Sequence, residues 1–131
     1  MLLPGLHYAT VVCVDDGISR FPAEIFESVY YTDIILLGDF NFELRSLNNR
    51  YTVFKHMLDR FNLAACSNII GSLNCPTYVN DALGHKSHID NFFITSHLQS
   101  VVHGGDVIES CLNFCDHRPI TLQLMLHADR F

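Results

Sequence analysis

Nowhere in the 131 residues do the roughly 18–20 uninterrupted apolar side chains of a membrane span follow one another. The N-terminus, MLLPGLHYATVVCVDD, lacks a basic leader region and places Pro4 and Gly5 early, which argues against a secretory signal. Basic residues are few and scattered; no two of the eight Lys and Arg lie closer in sequence than Arg45 and Arg50 do. No basic patch of the kind that marks a nucleic-acid surface stands out, and the formal charge of −6 points mildly the same way. Metal-dependent sites themselves concentrate carboxylates, so a negative net charge alone does not exclude a nucleic-acid substrate. The five cysteines (Cys13, Cys66, Cys75, Cys111 and Cys115) include no CxxC pair. An odd count without a secretion signal favours reduced thiols and an intracellular location, nuclear or cytoplasmic. Cys111, Cys115 and His117 fit no common zinc spacing, so the cysteines are expected to be small buried residues. Repeats, low-complexity tracts and linkers are also absent.

What is present is a core. At 49% hydrophobic and 17% charged, the chain has the composition of one globular domain spanning residues 1–131. Tyr8–Val14, rich in β-branched residues, reads as a strand broken at Asp15-Asp16-Gly17. Ser19 and Pro22 suit a helix start, followed by an apolar stripe of Ile25, Phe26, Val29 and Tyr30. Ile34–Leu37 is a run fit for a strand covered on both faces. Val53, Phe54, Met57, Leu58 and Phe61 recur at helical spacing, with Asn48 or Asn49 as cap and Asn62 as stop. Short strands are expected at Leu63–Ser67 and Thr77–Val79, a turn at Asn80–Gly84, and an interior strand at His88–Thr95. In Pro119–His127, Ile120, Leu122, Leu124 and Leu126 alternate with Thr121, Gln123, Met125 and His127. Strand–helix–strand–helix followed by strands predicts an α/β layered architecture.

Three polar clusters lie where strands end and loops begin, the usual place for functional groups. In Gly38-Asp39-Phe40-Asn41, an extended chain sends Asp39 and Asn41 to the same side while Phe40 packs behind. In Ser87-His88-Ile89-Asp90, a carboxylate opens an apolar strand, where a charge needs a hydrogen-bonded partner such as a histidine. In Cys115-Asp116-His117-Arg118-Pro119, an Asp suited to a hard cation adjoins a His suited to proton exchange or charge stabilisation. Each cluster alone reads equally well as an ordinary turn or loop.

In combination they resemble the endonuclease/exonuclease/phosphatase (DNase-I-like) superfamily, and most closely the endonuclease domains of non-LTR retrotransposons. The resemblance runs from Thr32 to Leu126 through DIILLGDFNFE, PTYVNDALGHKSHIDNFFITSHL and CDHRPITLQL. It implies an α/β sandwich of two mixed β-sheets flanked by helices, and a phosphodiester hydrolase using Mg²⁺ or Mn²⁺ on a DNA substrate. By that resemblance Asp39 orients and deprotonates the attacking water, and Asn41 holds a phosphate oxygen. Asp116 belongs to the metal-binding carboxylates. His117 contacts the scissile phosphate, and Asp90 fixes its imidazole.

The family pattern also opens with a strand carrying an Asn and a strand ending in a metal-ligating Glu, neither of which occurs here. Where the family has a Tyr-x-Pro, this chain reads Val12-Cys13-Val14-Asp15-Asp16-Gly17, and the Ser expected before Asp-His is Cys115. The expectation is therefore a partial domain lacking the N-terminal strands, with weak metal binding and weak activity or none. The alternatives are a non-catalytic remnant of a retrotransposon endonuclease and a phosphatase of the same superfamily.

Overall fold

The computed structural model of the chain describes residues 9–14, 33–44, 49–109 and 115–125. Its centre is a four-stranded mixed sheet in the order β1 (Ala9–Val14), β2 (Asp33–Asp39), β6 (Asp90–Thr95), β3 (Leu63–Ala65). The first two strands run parallel, while β6 is antiparallel to both β2 and β3. The apolar strand segments Ile34–Leu37 and Phe92–Ile94 thus lie side by side in the middle, where both faces of the sheet can be covered.

Alternation along β2 and β6 sorts their side chains onto two faces. One face presents Ile34, Leu36 and Phe93 to the helix α1 (Asn49–Arg60), which buries Phe54 and Leu58 against them. Phe40 joins that cluster from the end of β2, with ring centroids 5.1 Å from Phe54 and 5.0 Å from Phe93. The opposite face, through Ile35, Phe92 and Ile94, meets Cys66, Leu73, Val102 and Leu122. Val102 and Leu122 belong to an antiparallel pair, β7 (Val102–Val107) and β8 (Ile120–Leu124). The expected α/β sandwich is thus built from a mixed sheet, a helix on one side and a strand pair on the other. A second antiparallel pair, β4 (Tyr78–Asn80) and β5 (His85–Ser87), forms a sheet of its own.

Several local expectations hold. Asn62 ends α1 in the left-handed region (φ 54°), which Asn tolerates better than most residues. Asp81–Gly84 forms the turn, with Asn80 Oδ1 accepting from Leu83 N–H at 3.0 Å and Gly84 at φ 66°. In β8, Ile120, Leu122 and Leu124 are half-buried and alternate with exposed Thr121 and Gln123.

Others need correction. Val53 does not share the buried helix face but is 67% exposed. The buried stripe instead runs Phe54, Met57, Leu58, Phe61, a true i, i+3, i+4, i+7 series with Tyr51 one turn before it, and Val53 falls about 100° away from Phe54. The strand expected over Leu63–Ser67 stops at Ala65, because Cys66 starts a short 3-10 turn whose carbonyl accepts from Ile69 and Ile70 N–H. Of the cysteines, Cys66 is buried, which pushes its thiol up to about 11, but Cys115 is exposed. The helix expected after Ser19, the Asn48 cap, Cys111 and the strand end at Leu126–His127 lie outside the described residues. Among the described residues no helix is long and apolar enough to cross a membrane.

The helix face gives a direct test. Phe54→Ala, at a site 1% exposed and surrounded by aromatic rings, is expected to cost about 3–5 kcal/mol in urea unfolding. Val53→Ala is expected to stay within about 0.5 kcal/mol of the parent. Equal losses for the two would mean that the helix is rotated from the orientation described.

Candidate active site

The end of β2 is shaped by Gly38. Its φ of 145° belongs to a region that L side chains rarely adopt, and it lies immediately before Asp39. The β2–β6 register then sets Asp39 directly across from Asp90, and Phe40 N–H extends the pairing to Ile89 O at 2.9 Å. Two carboxylates facing each other across a ladder repel. His117 lies between them: Asp90 Oδ2 is 2.9 Å from Nδ1, and Asp39 Oδ2 is 3.7 Å from Nε2.

Asp39 also organises the chain after it. Its Oδ1 accepts the Asn41 N–H at 2.8 Å, a side-chain turn that Asp readily makes. Asn41 is exposed and has φ 54°, so the extended-chain reason for sending Asp39 and Asn41 to one side does not apply. The left-handed residue turns the backbone instead, while Phe40 is buried behind the site as expected.

Asp90 and His117 are joined through Thr77, a residue to which the sequence pattern assigned no task. Thr77 is 0% exposed. Its Oγ1 accepts from both Ile89 N–H (3.1 Å) and Asp90 N–H (3.0 Å). Its own N–H donates to Ser87 O at 3.0 Å, and its carbonyl accepts from Arg118 N–H at 2.6 Å. With Val79 N–H donating to Asp116 O at 2.8 Å, the segment around His117 is laid along β4. The Tyr78 ring meets the His117 ring edge-on at 5.3 Å. A buried threonine before a short strand carries no signal in one sequence that separates it from a packing residue.

Asp116 is placed differently from His117. It is exposed, and its Oδ2 accepts from Asn80 Nδ2 at 3.2 Å. Among the described residues, the groups able to offer a metal ligand within 4.8 Å of one another are Asp39, Asp90 and His117. This set provides two carboxylates and an imidazole whose Nδ1 is engaged by Asp90. It suits an ion that keeps several waters and uses one or two carboxylates, and does not form an all-oxygen protein cage. Cys115, beside Asp116, donates from Sγ to His117 O at 3.2 Å.

The electrostatics of His117 follow from this placement. Partial burial pulls its pKa down. The hydrogen bond to Asp90 and the charges of Asp90, Asp39 and Asp116 outweigh that and raise it above 6.5. His88, only two residues before Asp90, is shifted the other way, because burial outweighs its carboxylate neighbours.

Two outcomes follow from this geometry. Thr77→Val keeps the shape but removes the acceptor of two amides, and is expected to cost about 1–3 kcal/mol in chemical denaturation, with Thr77→Ser largely restored. Parent-like stability of the valine variant would remove Thr77 from its joining role. By NMR, His117 should titrate above 6.5 and fall on Asp90→Asn. Because its native pKa is raised, the stability it contributes is full below about pH 6.5 and is lost as pH rises through the native value. A midpoint unmoved by Asp90→Asn would contradict the pairing.

No protein-family model matches the chain, and no curated protein matches it significantly. Solved structures do. A 3′ phosphatase from Neisseria bound to a product DNA hairpin superposes with a TM-score of 0.63 at 15% identity, over 77% of this chain and 48% of that one. An endonuclease/exonuclease/phosphatase family protein from Leptotrichia buccalis gives 0.56 at 21% identity, over 78% and 39%. The endonuclease domain of TRAS1, a telomere-specific non-LTR retrotransposon, gives 0.56 at 20% identity, over 71% and 43%. The chain spans less than half the length of each of these structures. Its fold is a partial DNase-I-like α/β fold, the one found in endonuclease/exonuclease/phosphatase family proteins, a retrotransposon endonuclease domain among them.

Proposed function

We propose that the chain carries part of the active site of a phosphodiester hydrolase of endonuclease type, with DNA as substrate and Mg²⁺ or Mn²⁺ as cofactor. The observation that carries this reading is the imidazole of His117 held between Asp39 and Asp90. Similarity in fold to a phosphatase solved with a DNA hairpin and to a retrotransposon endonuclease domain supports it.

Each residue has a task that its surroundings suit. Asp90 accepts a hydrogen bond from the Nδ1–H of His117, which fixes the tautomer and leaves Nε2 directed towards Asp39. A proton retained on His117 near neutral pH stabilises negative charge developing on the phosphate oxygens. Asp39, with one oxygen steadied by the Asn41 amide, orients a water and accepts its proton. The Asn41 side chain, exposed at the turn, holds a phosphate oxygen. The resemblance makes Asp116 a metal carboxylate, but of the described groups near enough to share an ion the carboxylates are Asp39 and Asp90; Asp39 would hold the hydrated ion, which would neutralise charge on the phosphate.

A second reading, a non-catalytic remnant, is favoured by one observation: among the described residues, Asp116 stands outside the Asp39, Asp90 and His117 group that could share an ion. Nicking of supercoiled plasmid in millimolar Mg²⁺ or Mn²⁺ separates the two. Under the hydrolase reading, Asp39→Ala and His117→Ala each lower the rate about 100-fold or more. The same ions raise the parent's melting temperature by mass action, and less so for Asp39→Ala. Equal nicking by all three proteins would exclude chemistry at this site. Neither nicking nor a thermal shift would leave the remnant reading standing.

A further inference from the structure

The half-buried side chain of Asn80, at the end of β4, is committed at both ends of its amide. Its Oδ1 accepts from Leu83 N–H at 3.0 Å, and its Nδ2 donates to Asp116 Oδ2 at 3.2 Å. Turning the amide over would set Nδ2 against a second donor and Oδ1 against a carboxylate oxygen. Both neighbours reject that flip, so the donor is held towards Asp116. The backbone beside it is fixed as well: Val79 N–H donates to Asp116 O at 2.8 Å, and Tyr78 bridges to His117. What Asn80 adds is restraint of an exposed carboxylate that would otherwise sample several rotamers. Among the described residues only Asn80 bonds the Asp116 carboxylate, and it takes one oxygen.

Capping the β4–β5 turn needs only Oδ1 of Asn80, and pairing at His117 needs only backbone. The restraint on Asp116 serves neither. Asp116 stands outside the Asp39, Asp90 and His117 group, yet its charge is among those that raise the His117 pKa. An ion of the Mg²⁺ class keeps several waters, and a carboxylate beside the group can accept from them if it is held still. Carboxylates that serve an ion are commonly steadied by such an outer hydrogen bond. We propose that Asn80 is the positioning residue of the Asp116 carboxylate, gripping Oδ2 so that Oδ1 stays open to the hydrated Mg²⁺ or Mn²⁺. This rests on the hydrolase reading above. It also ties the β4–β5 turn to the ion, since the amide that caps the turn is the one that steadies the carboxylate.

The experiment is a Mn²⁺ titration of the full chain, followed by the electron paramagnetic resonance signal of the free ion. Parent, Asn80→Ala, Asp116→Ala and the double variant are compared. Asn80→Ala is expected to weaken Mn²⁺ binding about tenfold in the parent and to change it little once Asp116 is alanine. The bond to Leu83 is lost in both backgrounds, so equal weakening in the two would mean a merely structural role and overturn the proposal. Parent-like affinity in Asn80→Ala would overturn it alone, whereas a parent that binds no Mn²⁺ would remove the hydrolase reading and the proposal together. In the ion-free protein the Asn80 side-chain amide resonance is expected to move on Asp116→Ala; an unmoved resonance would deny the contact. If Asn80→Ala does not fold, Asn80→Ser, whose hydroxyl can still cap the turn but which lacks the amide donor, replaces it in the same comparison.

Discussion

Two carboxylates opposed across one rung of a sheet are the constraint around which this site is arranged. The β2–β6 register leaves no freedom: pairing Leu36 with Phe93 in the core puts Asp39 opposite Asp90 three residues on. Sliding the register by one residue would separate the acids, but it would turn every apolar side chain of β2 to the wrong face. The core therefore enforces the repulsion, and an imidazole between the two acids relieves it. Folding free energy from the aromatic cluster is in this sense what holds two like charges within reach of one histidine.

The imidazole arrives from far along the chain, 27 residues beyond Asp90. It is held there by backbone pairing more than by its own side chain. Thr77 links Ser87, Ile89, Asp90 and Arg118 through backbone and hydroxyl hydrogen bonds. The Arg118 guanidinium pairs with Glu109, and Ile108 N–H donates to Pro119 O at 2.8 Å, so the segment is also tied to the end of β7. A site built on such pairing is placed by rigid elements on both sides of the histidine.

Much of this was legible from residue order. The run Ile34–Leu37, the alternation in Ile120–Leu124 and the stop at Asn62 are periodicity and local chemistry, which a single sequence records directly. The three clusters could be located because polar residues at the ends of apolar strands are conspicuous. What could not be read was relative placement. The rotation that exposes Val53 depends on which helix face meets Phe93, and the left-handed turn at Asn41 depends on its N–H donating to the Asp39 carboxylate. The joining role of Thr77 arises only once β4, β6 and the His117 segment are adjacent, a tertiary fact without a local signature.

The two histidines near Asp90 show how local the electrostatics are. His88 and His117 both feel the charge of Asp90, yet their protonation is biased in opposite directions. The difference lies in what surrounds each ring. His88 borders a cavity beneath the Glu43 segment, where desolvation dominates. His117 donates a hydrogen bond to Asp90 and feels the added fields of Asp39 and Asp116 at a partly exposed rim, where opposite charge dominates. Net charge therefore predicts neither ring. Around neutral pH one imidazole is held neutral for packing and the other is held towards its cationic form, facing a carboxylate from the nitrogen that Asp90 leaves available.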